Sequence, residues 1–211
     1  RLLPRLDLEQ ARRQAKIVVG YSDITFLLGE LVQRANLVVF HGPMVADFAV
    51  HPTAAETLLR LLAGDRKLGN LRAREIGPPG SSEGVIVGGC LSIIVAGLGT
   101  PHALDTKGKL LFLEDVNEKP FRVDRMLTQL RQAGKLDGVA GVMFGDMTGC
   151  GHAGDAVTVR DVIRDAFAGA RYPVVFGLPT GHGGGTATLP LGVRARLAGE
   201  RLNLLESPLA E

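Results

Sequence analysis

Ile17-Val18-Val19-Gly20-Tyr21-Ser22-Asp23-Ile24-Thr25 is the stretch that decides the fold. A β-branched apolar run ends on a glycine, and a serine follows two residues later. Ile24, Phe26, Leu27, Leu28, Leu31 and Val32 then recur at helical spacing. The pattern predicts a strand, a sharp turn and a helix, with a hydroxyl at the turn. Such an elbow lifts the serine oxygen clear of the backbone and sets it at the positive end of a helix. The backbone N–H of Asp23 would then face an oxyanion. A plainer reading makes Ser22 only a helix cap. Ile24 also stands where the elbow of an α/β-hydrolase would have a second glycine.

Outward from the elbow, Leu37-Val38-Val39-Phe40 predicts a second buried strand ending in His41-Gly42-Pro43, and a helix is expected at 53–63. Strand–helix–strand–helix order implies parallel pairing with right-handed crossovers. The stretch 64–84 is rich in Gly, Pro and Ser and reads as a link or hinge, with a possible strand at 71–76. We therefore expect an α/β chain in two parts: residues 1–66 as an incomplete parallel α/β domain with the elbow, and 67–211 as a second β/α domain. In the second part, strands are expected at 85–87, 110–113, 139–144, 173–176, 186–189, 192–197 and 201–205. Helices are expected through Leu98, over 121–133 after Pro120, and after a Thr158 cap. Residues 6–15 read as a polar helical turn.

The bulk properties of the 211 residues narrow the class. The chain is 45% hydrophobic and 22% charged with net charge +2, as a globular protein should be. Aromatics are only 5% and no basic block stands out, which argues against a nucleic-acid surface. No apolar run approaches a membrane span. Cys90 and Cys150 form no framework, so a reducing cytoplasm is the expected location. The five histidines show no zinc-ligand spacing.

Buried strands in α/β sheets deliver reactive groups at their carboxyl ends. Ser22, Glu114 and His182 each stand just past such an end. A nucleophile, a base and a residue that orients the base need this arrangement: Ser22 to attack, His182 to take and return its proton, Glu114 to hold the other ring nitrogen. Each also has a duller reading, as a cap, a loop carboxylate and a loop histidine. His182-Gly183-Gly184-Gly185 is like the oxyanion loop of lipases, but there it precedes the nucleophile.

Five blocks in order resemble the LD-carboxypeptidase family, which includes murein tetrapeptide carboxypeptidases and microcin-immunity serine peptidases. They are Gly20-Tyr21-Ser22-Asp23-Ile24-Thr25, His41-Gly42-Pro43-Met44, Gly88-Gly89-Cys90-Leu91-Ser92, residues 111–127 from Leu111 through Glu114 and Pro120 to Leu127, and Gly181-His182 with Thr188-Leu189-Pro190-Leu191-Gly192. The resemblance implies a serine peptidase with a triad on Ser22, Glu114 and His182. It further implies a flavodoxin-like first domain, a homodimer, no metal and no cofactor. The implied reaction removes terminal D-alanine from cytoplasmic murein tetrapeptides during peptidoglycan recycling. The alternatives are a peptidase acting on a peptidyl-nucleotide amide, or an inactive remnant that only binds.

Family members have an amino-terminal βα portion ending in a loop that helps bind the oxyanion. This chain opens after the place where that loop would stand, so an amino-terminal segment is expected to be missing. Cys90 also replaces an asparagine frequent in relatives. Arg122 and Arg125 are candidates to grip the substrate carboxylate, because a guanidinium binds a carboxylate bidentately. Ion pairs with Glu118 or Asp124 on the same helix are the commoner use of such residues.

Overall fold

A computed structural model of the chain describes residues 2–65, 71–151, 154–183 and 187–209. The polar start folds as a helical turn, α1 (Leu8–Arg13), where the Asp7 carboxylate accepts the Gln10 N–H. The expected elbow follows: β1 (Val19–Gly20), a 3-10 turn over Ser22–Ile24 and α2 (Thr25–Gln33). Next come β2 (Val39–His41) and α3 (Pro52–Leu62), and β1 and β2 pair in parallel as expected. Proline at the start of α3 fits because the first helical N–H has no intrahelical acceptor.

The second part runs β3 (Leu71–Arg72), β4 (Arg74–Glu75), β5 (Ser81–Cys90), α4 (Leu91–Ala96), β6 (Leu110–Val116), α5 (Pro120–Gln132) and β7 (Gly141–Thr148). It continues with α6 (Val159–Ala166), β8 (Val174–Phe176), β9 (Leu189–Leu191), β10 (Arg194–Ala198) and β11 (Arg201–Leu204). Thr158 caps α6 in a reciprocal box with Asp161, as its position predicts. The expected boundary at 66–67 lies outside the described residues, as does the start of the strand expected at 186–189.

Three expectations change. The strand expected at 85–87 spans ten residues, because Ser81–Val85 pair antiparallel with β10 while Ile86–Cys90 pair in parallel with β6. Its Ser and Gly residues hid that length. Residues 71–76 are not one strand. β3 joins β11 at one end of an eight-stranded sheet and β4 joins β8 at the other, so the order β3-β11-β10-β5-β6-β7-β8-β4 rolls into a nearly closed barrel. The supposed hinge thus supplies sheet edges. Finally, β9 does not close this sheet but pairs antiparallel with β2, in the order β1-β2-β9.

Side-chain alternation divides the core in two. Ile86, Leu110, Phe112, Met143 and Val175 face one cluster, together with Leu28, Leu31 and Val39 of the elbow region and Leu189. Val87, Leu111, Leu113, Val142, Phe144 and Val174 face the other, under Leu91, Val123, Leu127 and Ile163 of the covering helices. Strands buried on both faces read as continuous apolar runs. The period of two places residue 114 on the side of Leu110 and Phe112, toward the elbow.

Candidate active site

The elbow is strained where a nucleophile elbow should be. Ser22 has φ +64°, a left-handed conformation uncommon for a residue with a side chain. It does not cap a helix: Tyr21 and Ile24 precede the 3-10 turn and α2, and neither start has a side-chain cap. The turn is held by Thr25, whose hydroxyl donates to the Ser22 carbonyl (2.7 Å) and accepts the Cys90 N–H (3.1 Å). Gly89, at φ +145°, lets that approach happen, since a Cβ there would meet Thr25 Cγ2 at 2.7 Å. The elbow is therefore pinned to the carboxyl end of β5. Asp23 is exposed and lies in the first turn, where backbone N–H groups lack helical acceptors.

Glu114 lies inside β6, not beyond its end, and the ladder shifts there. Between the pairs Leu113–Phe144 and Asp115–Met147, β6 advances two residues (113 to 115) and β7 three (144 to 147). Such a bulge re-aims side chains beside functional sites. The Glu114 carboxylate is wholly buried, and its Oε2 lies 2.6 Å from His182 Nδ1 and accepts the His182 N–H at 3.3 Å. An ionised carboxylate only accepts, so Nδ1 carries the ring proton and Nε2 is left as the base. Gly181, at φ +133°, brings the loop this close: a Cβ there would meet Glu114 Oε2 at 2.9 Å.

Electrostatics follow from this contact. Burial pushes the Glu114 carboxyl up, but the His182 hydrogen bond and the nearness of the His41 ring outweigh it and hold it at about 2. Burial lowers the His182 imidazole, and the Glu114 hydrogen bond and charge outweigh it and raise the ring above its ordinary value. Asp146 is raised by burial, against a hydrogen bond from the Gly183 backbone, with the Glu114 charge adding to the rise. The site therefore holds an ionised carboxylate against a ring disposed to accept a proton.

Ser22 does not itself line the cleft at His182; its neighbour Tyr21 does. The Tyr21 ring packs edge-on against the His182 ring, 4.8 Å between centroids, and both line a small cleft of about 30 Å³ with His41, Asp47, His51 and Thr180. The structure thus joins Glu114 to His182 directly and sets the elbow against His182. Arg122 and Arg125 stand elsewhere. Arg122 Nε pairs with Glu118 at 2.8 Å, and the Arg125 guanidinium lies over the Phe121 ring at 5.3 Å; neither lines this cleft.

Sequence reasoning missed Tyr21, Thr25 and His41. His41 could have been found, since it ends a buried strand as the other candidates do. Among the described residues no group of three His, Cys, Asp or Glu is placed to hold a metal ion, and no helix is long and apolar enough to cross a membrane.

Residues 83–197 match the LD-carboxypeptidase C-terminal domain and residues 1–42 the LD-carboxypeptidase N-terminal domain. A Bacillus subtilis (strain 168) protein named "Probable murein peptide carboxypeptidase" is 35% identical over 223 residues, covering 100% of this chain and 69% of its own. The Escherichia coli microcin C7 self-immunity protein MccF is 26% identical over 239 residues, covering 96% and 69%. The crystal structure of muramoyltetrapeptide carboxypeptidase from Oxalobacter formigenes has a TM-score of 0.82 at 28% identity, covering 98% of this chain and 74% of that one. The chain spans 69%, 64% and 62% of the lengths of three curated carboxypeptidase relatives. On the two domain matches and the 35% identity, the chain belongs to the LD-carboxypeptidase family.

Proposed function

We propose that this chain performs serine-type LD-carboxypeptidase chemistry, releasing terminal D-alanine from murein tetrapeptides. The observation that supports it most is the 2.6 Å bond between Glu114 and His182, with Tyr21 of the elbow packed on the His182 ring next in sequence to a left-handed Ser22. In this reading Ser22 Oγ attacks the scissile carbonyl while His182 Nε2 takes its proton. The Asp23 N–H receives the oxyanion. The tetrahedral adduct collapses, the C–N bond breaks, and His182 returns the proton to the leaving D-alanine nitrogen. Water, deprotonated by His182, then hydrolyses the acyl-serine. Glu114 stabilises the imidazolium formed in both halves.

Peptidoglycan recycling in the cytoplasm is the setting that fits this substrate. Ser22→Ala is expected to lower D-alanine release from a murein tetrapeptide by about 10⁴-fold or more; unchanged release would overturn the assignment. Resemblance to the microcin-immunity protein makes a peptidyl-nucleotide amide the second substrate to assay. The chain has no tryptophan and few aromatics to stack a base, which disfavours it.

A further inference from the structure

We infer that His41 is a positioning residue: its Nε2–H holds the Glu114 oxygen that His182 leaves unused, and thereby fixes the carboxylate against which His182 is oriented. The inference rests on the serine-peptidase reading only for its kinetic test.

The two oxygens of Glu114 have different surroundings. Oε2 meets the ring and the backbone of His182. Oε1 is buried and has no hydrogen-bond partner among the described residues, and His41 Nε2 lies 3.6 Å from it. His41 is itself 1% exposed, and both its ring nitrogens are buried without a hydrogen-bond partner among the described residues. Two unsatisfied buried groups of complementary kind therefore face each other, a few tenths of an ångström beyond hydrogen-bond length. Closing that gap satisfies both, which is the general rule for buried polar atoms.

His41 is rigidly placed for the task. It pairs with Gly20 of the elbow strand on one side and with Leu189 on the other. Its ring stands edge-on to Phe112 at 5.0 Å and tilted to Tyr21 at 6.1 Å. Phe112 lies two residues before Glu114 on the same face of β6. His41 thus connects the strand that leads into Ser22 with the strand that bears the carboxylate. The only side chains that act on Glu114 among the described residues are His182 and His41, while the Glu114 charge is itself felt at Asp146, Tyr21, Cys90 and Cys150. Besides His182, His41 is the side chain whose ring nitrogen stands nearest a Glu114 oxygen among the described residues.

The sign of the effect follows. Removing the His41 donor makes Glu114 more basic and strengthens its hold on the His182 proton. The acid limb of kcat/KM should therefore move to higher pH, by roughly one unit. His41→Phe keeps a ring between Phe112 and Tyr21 but has no donor. It is expected to lower kcat about 10- to 100-fold with little change in KM, with the raised acid limb, and His41→Gln should recover part of both. A merely structural role would reduce folded protein without moving the pH profile.

Nitrogen-15 NMR gives a readout that needs no substrate. The unaltered protein should show His41 as the Nε2–H tautomer, and His182 should titrate at higher pH in His41→Phe. An Nδ1–H tautomer at His41, or a folded His41→Phe whose His182 titration is unchanged, would overturn the inference. If Ser22→Ala still releases D-alanine while His182 titration moves in His41→Phe, the serine reading fails and the positioning role stands.

Discussion

A single carboxylate dominates the electrostatics of the site and ties them to acid stability. Glu114 is held at about 2 against an ordinary 4.5, so the native state binds its proton less readily than the unfolded chain. A group depressed in this way stabilises the fold above its unfolded value, and the contribution disappears as pH falls through its folded value. The loss should run from about pH 4.5 down to about 2. His182 has the opposite sign: its pKa is raised, so its share is full below the ordinary 6.5 and is lost as pH rises through the folded value. Both describe one contact and are not to be added. Glu114→Gln keeps the shape and removes the charge. Urea titrations at stepped pH should show a flatter acid slope in the variant, and turnover should fall by about 10³- to 10⁴-fold because the imidazolium loses its counter-charge. Glu114 stood out in the sequence because an apolar run leads straight to it, and His182 because it follows such a run and a short turn. His41 stood out less, since a histidine closing an apolar strand looks like a boundary marker until its buried nitrogens are seen to face a carboxylate.

The elbow works as an element because one hydroxyl staples it to a strand distant in sequence. Thr25 Oγ1 both donates to the Ser22 carbonyl and accepts from the Cys90 N–H. Thr25→Val preserves shape and removes both bonds, leaving a buried N–H at Cys90 with no acceptor. A destabilisation of about 1–3 kcal/mol is expected from that alone, measured by denaturant unfolding. Turnover should fall further than this loss of folded protein explains, because the left-handed Ser22 loses its anchor. The strand–turn–helix pattern around Ser22 was visible in residues 17–32. The staple was not, since it joins positions 65 apart. The bulge near Glu114 was hidden for a similar reason. A register shift is a property of two paired strands, and the run from Leu110 to Leu113 contains no trace of how many residues β7 will set against it.

At the scale of the molecule, the two sheets share a core even though the sequence divides readily into two parts. Gly, Pro and Ser between 64 and 84 look like a link, yet Leu71 and Ala73 are buried in the same cluster as Leu28, Leu31 and Val39. Composition records local backbone freedom, whereas barrel closure depends on Leu71–Arg72 and Arg74–Glu75 finding opposite sheet edges. β9 carries the argument further, because it lies late in the chain and pairs with His41, Phe40 and Val39 of β2. Leu189 is fully buried where that strand meets the shared cluster. Leu189→Ala should therefore weaken the whole fold, by about 2–5 kcal/mol. A shared core also predicts one cooperative transition, with far-UV dichroism and calorimetry giving the same midpoint and matching calorimetric and van't Hoff enthalpies. Two separated transitions, with only the first moved by Leu189→Ala, would mean that β1, β2 and β9 unfold as a unit of their own. In that case the elbow could loosen from Glu114 and His182 without the barrel opening, and activity would be lost at lower denaturant than the barrel's structure.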